Sequence, residues 1–431
     1  METSNSAIKT PFKRLVISLC IGQSGNMMAL LVPLSLLLTL KFMLIDPNMA
    51  PAQFGLTTGF GALFALFANP IGGALSDRTA LKFGRRRTWI VLGTLLGSLC
   101  LAGVALTTNY FLIIIFWCGA QTFFNFAGAA YTALLPDQVE EGKRGTISGI
   151  VGLIVPLSPV IGLVVMTLLG NKPLTFKWFV LIGIVVISAA ICVIMLKDGQ
   201  AKFERKHEEK LEFGEALSRV YPSPKKYPIF TWALMTRFFI SLAFCANTYN
   251  SIMLIKRFHY TEANISSTVT LLSMVGLVFL AVASIFGGIF SDKIRRQKPF
   301  IYISSAVMLI GLVLDVIAPN MLYIYIAGIL TNLAYGLYLG VDAALIARIL
   351  PNKEDAAKDY GIMNIANTIP QSIVPFMAPL LLAIGGWVFF FGSLAVGTVI
   401  CALCAIPIPE MSPKSIEEDI QIEPEMNRVS H

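Results

Sequence analysis

Apolar runs of about 20 residues or more follow one another along almost the whole chain, and a run of that length is what a helix needs to cross the hydrocarbon of a bilayer. They fall near residues 15–44, 53–75, 88–107, 109–135, 146–169 and 176–196, then near 228–255, 264–290, 299–318, 321–350, 361–384 and 386–408, each bounded by charge, proline or asparagine. Composition agrees, since 56% of the 431 residues are hydrophobic and 13% charged, against about a quarter charged in soluble domains. A soluble enzyme carrying a single anchor is excluded. The expected fold is an all-α membrane protein with twelve transmembrane helices in two six-helix halves.

The two sets of six are copies. Gly73, Ser76 and Asp77 in "GGALSDR" recur as Gly288, Ser291 and Asp292 in "GGIFSDK", and Leu135, Pro136 and Lys143 recur as Leu350, Pro351 and Lys358. Both matches have an offset of 215 residues, and one offset shared by two separate loops marks an internal duplication. Parallel halves of this kind characterise secondary transporters. The chain divides into an N-terminal half, residues 1–196, a polar linker, 197–227, a C-terminal half, 228–409, and a tail, 410–431. A short amphipathic helix is expected in the linker around Leu211 to Val220. The tail, with Glu417, Glu418, Asp419, Glu423 and Glu425, reads as disordered and acidic.

A net charge of +8 on one soluble face would suggest nucleic acid, but here the basic residues lie between apolar runs, so the acidic partner is the lipid headgroup layer. With the N-terminus cytoplasmic, 27 of the 33 lysines and arginines fall on the cytoplasmic side. Lys41, Lys172, Lys177, Lys256 and Arg257 fall opposite, and Arg237 lies within a span. Both termini are therefore expected in the cytoplasm and the protein in the cell membrane. The first run is too long for a signal-peptide core and is expected to stay as a span. The seven cysteines sit inside apolar stretches, without metal-ligand spacing, and read as core filler.

The loop between the second and third runs reads "GGALSDRTALKFGRRR". Gly72 and Gly73 allow close helix approach, Asp77 can accept hydrogen bonds from a helix N-terminus or an arginine, and Arg78, Arg85, Arg86 and Arg87 are expected at headgroup level. The stretch serves either as a topology determinant or as a latch between the halves. It resembles the signature of the major facilitator superfamily, a Gly-x-Leu-x-Asp-Arg stretch followed by Gly and a basic run, here Gly73, Leu75, Asp77, Arg78, Gly84 and Arg85 to Arg87. The longer spacing from Asp77 to Gly84 is similar to the sucrose/proton symporter-like and glycoside/cation symporter branches. "LLPDQVEEGKRGTISG" and "AAKDYGIMNIANTIPQS" look like bacterial members of the former. The acidic residues of a melibiose-type sodium site are absent from the first two runs, which offer Gln23 and Asn26 instead. The resemblance implies that the first, fourth, seventh and tenth helices line a central cavity.

Polar side chains inside the runs are costly in lipid and should face a cavity or a partner. Gln23 and Asn26 share a face in the first run; Gln121 and Asn125 align in the fourth, with Tyr131 beside them. Arg237, Ser241, Thr248 and Ser251, flanked by Asn247, form a stripe in the seventh. Asn332, Tyr335 and Asp342 do so in the tenth, near Tyr338, and Asn364, Asn367 and Gln371 in the eleventh. Each could bond a neighbouring helix; together their amides, hydroxyls and phenols suit a polar solute. The rings of Tyr131, Tyr249, Tyr335 and Tyr338 could stack on a sugar.

Arg237 and Asp342 each lie nine residues from a flanking proline, Pro228 and Pro351, so both are roughly 13 Å from the cytoplasmic ends. Burial favours a neutral carboxyl and a neighbouring guanidinium favours an ionised one, so separating the two would switch the protonation of Asp342. The alternative is a static pair, or an Asp342 that bonds the solute. Asp315 is expected at the outer interface. Asp292 with Lys293 and Arg295 forms the matching second-half latch, with Arg348 a partner for Asp292. No Gly-Lys-Ser/Thr loop signals ATP-driven transport. The chain reads as a carrier rather than an enzyme: a monomer without cofactor or metal that moves a neutral polar solute, a sugar or glycoside, inward with protons. An efflux antiporter for amphipathic drugs or metabolites is the main rival. A non-transporting sensor or lipid-handling protein on the same fold is the other.

Overall fold

Lipid offers no partners to backbone N–H and C=O groups, so each apolar run closes its hydrogen bonds within itself as a helix. The computed structural model describes residues 10–139, 141–198, 227–349 and 356–409. The expected linker helix and acidic tail lie outside the described residues. The helices are α1 Phe12–Ile45, α2 Ala50–Asp77, α3 Arg85–Leu106, α4 Tyr110–Gln138, α5 Glu141–Leu168, α6 Leu174–Met195, α7 Pro228–Phe258, α8 Glu262–Ile294, α9 Lys298–Ile317 and α10 Met321–Ile349. A final helical stretch, Ala356–Cys404, is two spans end to end. Gly385 (φ −148°, ψ 23°) and Gly386 (φ 61°, ψ −153°) break it into α11, 356–384, and α12, 387–404. Twelve helices and no strand are thus present among the described residues.

Local chemistry explains the ends and breaks. Pro33 has no N–H to give, and α1 passes through a π-turn at Pro33–Leu37. α4 starts where the Asn109 side chain accepts from the Leu112 N–H at 3.3 Å. α7 is α-helical over Pro228–Phe244, tightens to a 3-10 turn at Cys245–Tyr249 and resumes at Asn250–Phe258. That turn holds Asn247 and Thr248, side chains that compete with the backbone for hydrogen bonds. Large apolar residues such as Leu168, Phe111 and Ile194 stay exposed, as lipid-facing positions should.

The described residues form two compact units. The first contains α1 to α6 together with Thr248–Met274 and Gln371–Ala383. The second contains α7 up to Asn247, Val275–Pro370 as far as described, and the chain from Ile384. Within the first unit, segments from the second half of the sequence are fastened at the end of the helices remote from the N-terminus. The Thr167 and Thr270 hydroxyls are 2.9 Å apart, Ser251 donates to the Ser35 carbonyl, and the Tyr249 hydroxyl donates to the Pro375 carbonyl at 3.3 Å. Phe60 packs edge-on against Phe376.

Candidate functional site

In the second unit Arg237, Ser241 and Phe244 occupy one face of α7, and Tyr335, Tyr338 and Asp342 one face of α10, by helical spacing. The two faces meet. Arg237 Nη1 lies 3.3 Å from Asp342 Oδ2, with the side chains 11% and 6% exposed. Two charges removed this far from water are tolerable only as a pair. Tyr338 lies within hydrogen-bonding reach of Asp342, one turn along α10, and its hydroxyl is 3.5 Å from Thr236 Oγ1. One turn along α7 and two along α10 from the ion pair, the Asn367 side-chain oxygen of α11 accepts from the Ser241 hydroxyl at 2.7 Å and from the Tyr335 hydroxyl at 2.9 Å. The Tyr335 ring stacks on Phe244, centroids 4.0 Å apart and planes at 8°. Three helices thereby gather an ion pair, an amide, a hydroxyl and a stacked phenol.

Other polar residues are spent elsewhere. The Asn332 amide donates to its own helix at the Gly328 carbonyl, 2.8 Å, and abuts Gly276; Asn125 likewise donates to the Gln121 carbonyl at 2.7 Å. Tyr131 packs in the core of the first unit against Ile90, Ala127 and Leu134, enclosed rather than open to a cavity. Asn26, beside Gly128, is 3% exposed, and neither of its amide atoms has a hydrogen-bond partner among the described residues. Gln23 is half-buried nearby on α1, Asn247 sits in the 3-10 turn of α7, and Gln371 is exposed and belongs to the first unit. The side chains of Asn364 and Arg348 lie outside the described residues. Asp315, expected at the interface, is instead buried at 5% exposure and has a partner of its own.

A second polar cluster lies in the first unit at the loop joining α2 and α3. Arg86, expected among headgroups, is buried at 3% exposure. Its guanidinium reaches Asp77 at 2.6 Å, Asp137 at 2.7 Å and the Ser76 hydroxyl at 2.9 Å, and Arg85 joins Asp137 at 2.8 Å. Arg86 is pulled inward because two carboxylates, from α2 and α4, converge on it. The close approach expected of both glycines belongs to Gly72, where a Cβ would stand 2.7 Å from Phe126 Cα; Gly73 faces open space. Gly84 begins α3 at φ 111°, and the Asp198 carboxylate caps that helix by accepting from the Arg86 and Arg87 N–H groups at 2.7 and 3.1 Å. Arg87 then lies over the Phe83 ring. Arg78 is exposed with a partner of its own; Asp292, Lys293 and Arg295 are exposed at the end of α8.

Sequence reasoning passed over Phe244, Thr236, Asp137 and Asp198. Phe244 was within reach, being seven residues from Arg237 on the stripe already drawn. Asp137, at the end of α4, follows Leu135 and Pro136 in the stretch that carries the duplication. Asp198 had no signal, since a cap supplied from more than a hundred residues away leaves no local pattern.

The family model described as Major Facilitator Superfamily matches residues 15–314 and 238–425. Among solved structures, the fold is similar to that of a D-xylose-proton symporter, with TM-score 0.68, 15% identity, and coverage of 92% of this chain and 98% of that one. It is similar also to the nucleoside transporter NupG, with TM-score 0.72, 12% identity, and coverage of 91% and 99%. Among curated proteins, the enterobactin exporter EntS of Shigella flexneri is 30% identical over 137 residues, 31% of this chain. That match spans about a third of the relative's length, 33%.

Proposed function

The chain belongs to the major facilitator superfamily, and from that premise we propose that it is a proton-coupled carrier for a neutral polar solute, a sugar or glycoside, working as a monomer in the cell membrane with both termini in the cytoplasm. The observation that carries this reading is the Arg237–Asp342 pair beside the Asn367, Ser241 and Tyr335 cluster. Amide, hydroxyl and phenol both donate and accept, which matches the alternating donors and acceptors of sugar hydroxyls. The ring pair of Tyr335 and Phe244 offers a flat apolar surface for the face of a pyranose. A multiply charged anion would want several cations, and the described spans of the second unit hold Arg237 in this cluster.

Coupling follows from the chemistry of the pair. When Arg237 and Asp342 touch, each neutralises the other; when helix movement draws them apart, the buried carboxylate has lost its counter-ion and takes up a proton. A proton bound from one side and released when the pair re-forms on the other drives the cycle. Within the second unit Tyr338 is proposed to contribute a further solute contact beside the ion pair. The Arg86 cluster is proposed as the cytoplasmic latch of the first half, with Asp292, Lys293, Arg295 and Arg348 in the second. In this orientation the contacts Thr167–Thr270, Ser251–Ser35 and Tyr249–Pro375 lie at the outward end of the first unit.

The test is the external pH of weakly buffered, de-energised cells expressing the protein while mono- and disaccharides are added singly. Alkalinisation with one sugar, abolished in Asp342→Asn, is expected. The likeness to an exporter over 137 residues favours outward movement as the second reading. If no sugar shifts the pH, while cells expressing the protein extrude amphipathic dyes in an energy-dependent manner, the export reading replaces the first.

A further inference from the structure

Lys41 lies in α1 near the end remote from the N-terminus, and it is 8% exposed. Among the described residues its ammonium makes one hydrogen bond, to the Ala105 carbonyl at the end of α3, 2.8 Å away. It forms no ion pair among the described residues. The nearest acid in sequence, Asp46, is turned to the backbone N–H groups of Asn48 and Met49. An ammonium has three protons to donate and one full charge to neutralise, so a buried lysine with a single carbonyl acceptor is incompletely satisfied.

Beside this lysine is a cavity of about 450 Å³, lined by Lys41, Leu44, Ala105, Thr108, Leu174 and Thr175 among others. Leu174 and Thr175 are the first residues of α6, whose N-terminus has no side-chain cap. The uncapped N–H groups of a 22-residue helix and the positive end of its dipole therefore lie at the same cavity as the ammonium. Two threonine hydroxyls, both exposed, complete a donor-rich wall. The surroundings are of the opposite character: Leu44, Leu106 and Phe176 are 59%, 67% and 48% exposed. A small anion with apolar chains attached fits both halves of this description.

We propose that the cavity between α1, α3 and α6 binds the phosphate group of a membrane phospholipid, with the phosphate held by Lys41, Thr108, Thr175 and the start of α6, and the acyl chains running along Leu44 and Leu106. A lipid seated there joins three helices of the first unit and is separate from the solute site proposed above.

The experiment is native mass spectrometry of the full chain in detergent, titrated with dioleoyl phosphatidylglycerol. One lipid is expected to bind more tightly than the rest, with its affinity weakened about tenfold in Lys41→Gln, the effect of losing one charge-assisted hydrogen bond, and preserved in Lys41→Arg. Dioleoylglycerol, with the same chains and no phosphate, is expected not to occupy the tight site. Equal binding of dioleoylglycerol overturns the proposal, as does an unchanged affinity in Lys41→Gln. Displacement of the lipid by millimolar inorganic phosphate, with phosphate bound in its place, also overturns it, because the ligand is then a free anion. Should Lys41→Gln fail to fold, Thr175→Val and the comparison of the two lipids carry the test, and no weakening in Thr175→Val together with equal lipid binding counts against the site.

Discussion

Removing one member of the Arg237–Asp342 pair is expected to destabilise the protein more than removing both. Arg237→Met leaves a carboxylate buried without a counter-ion, a loss of about 3–5 kcal/mol, whereas Arg237→Met with Asp342→Leu replaces both charges by apolar groups. Thermal unfolding of the purified chain checks this: the single variant should melt well below the wild type and the double variant close to it. Tyr335→Phe keeps the ring on Phe244 and deletes one bond to Asn367. It is expected to raise KM for the transported solute about 3–10-fold, the worth of one neutral hydrogen bond, with the melting temperature little changed. An unaltered KM would reduce Tyr335 to a packing residue. At this scale the sequence discloses depth but not direction. Counting from Pro228 and Pro351 sets Arg237 and Asp342 level, while only the packed helices show that they face each other. The same limit explains Asn332 and Asn125, whose amides turn back to the carbonyl four residues earlier, a choice made by side-chain rotamer and not by spacing.

Helix ends and joints depend on single glycines. Gly386, at φ 61° and ψ −153°, occupies backbone space closed to residues with a Cβ. Gly386→Ala is expected to distort the corner between α11 and α12 and to lower the yield of folded protein, read by monodispersity in size-exclusion chromatography; a wild-type yield would refute it. Gly84 combines φ 111° with a Cβ position 2.6 Å from the Asp198 carboxylate, so alanine there strains the backbone and displaces the cap together. Asp198→Ala alone, which removes the cap from α3, is expected to lower stability by about 1 kcal/mol. The helices themselves were legible because their length and apolar character are dictated by the bilayer, and the corner at Gly385–Gly386 falls where the apolar pattern divides the last two runs. The 3-10 turn of α7 was not legible. No proline or glycine marks Cys245–Tyr249, and Asn247 and Thr248 alone are too common in helices to mark a break.

For the molecule as a whole, the carrier cycle proposed above requires that the end fastened through Thr167 and Thr270 open. A Thr167→Cys, Thr270→Cys pair, replacing hydroxyls 2.9 Å apart, is expected to form a disulfide under mild oxidant and to stop solute uptake, with uptake restored by reductant. Oxidised protein that transports at the unmodified rate would show that this end does not move. The Arg86 cluster has a consequence of a different kind, in the order of synthesis. Asp77 and then Arg85 and Arg86 leave the ribosome before Asp137, which arrives with the far end of α4. While α3 is inserting, therefore, the arginines still carry positive charge in excess of Asp77 and, in the proposed orientation, would hold their loop on the cytoplasmic side. Once α4 is in place the same side chains are neutralised and drawn inward, so residues that act first as address labels during biogenesis become, in the finished protein, the lock that holds three helices together.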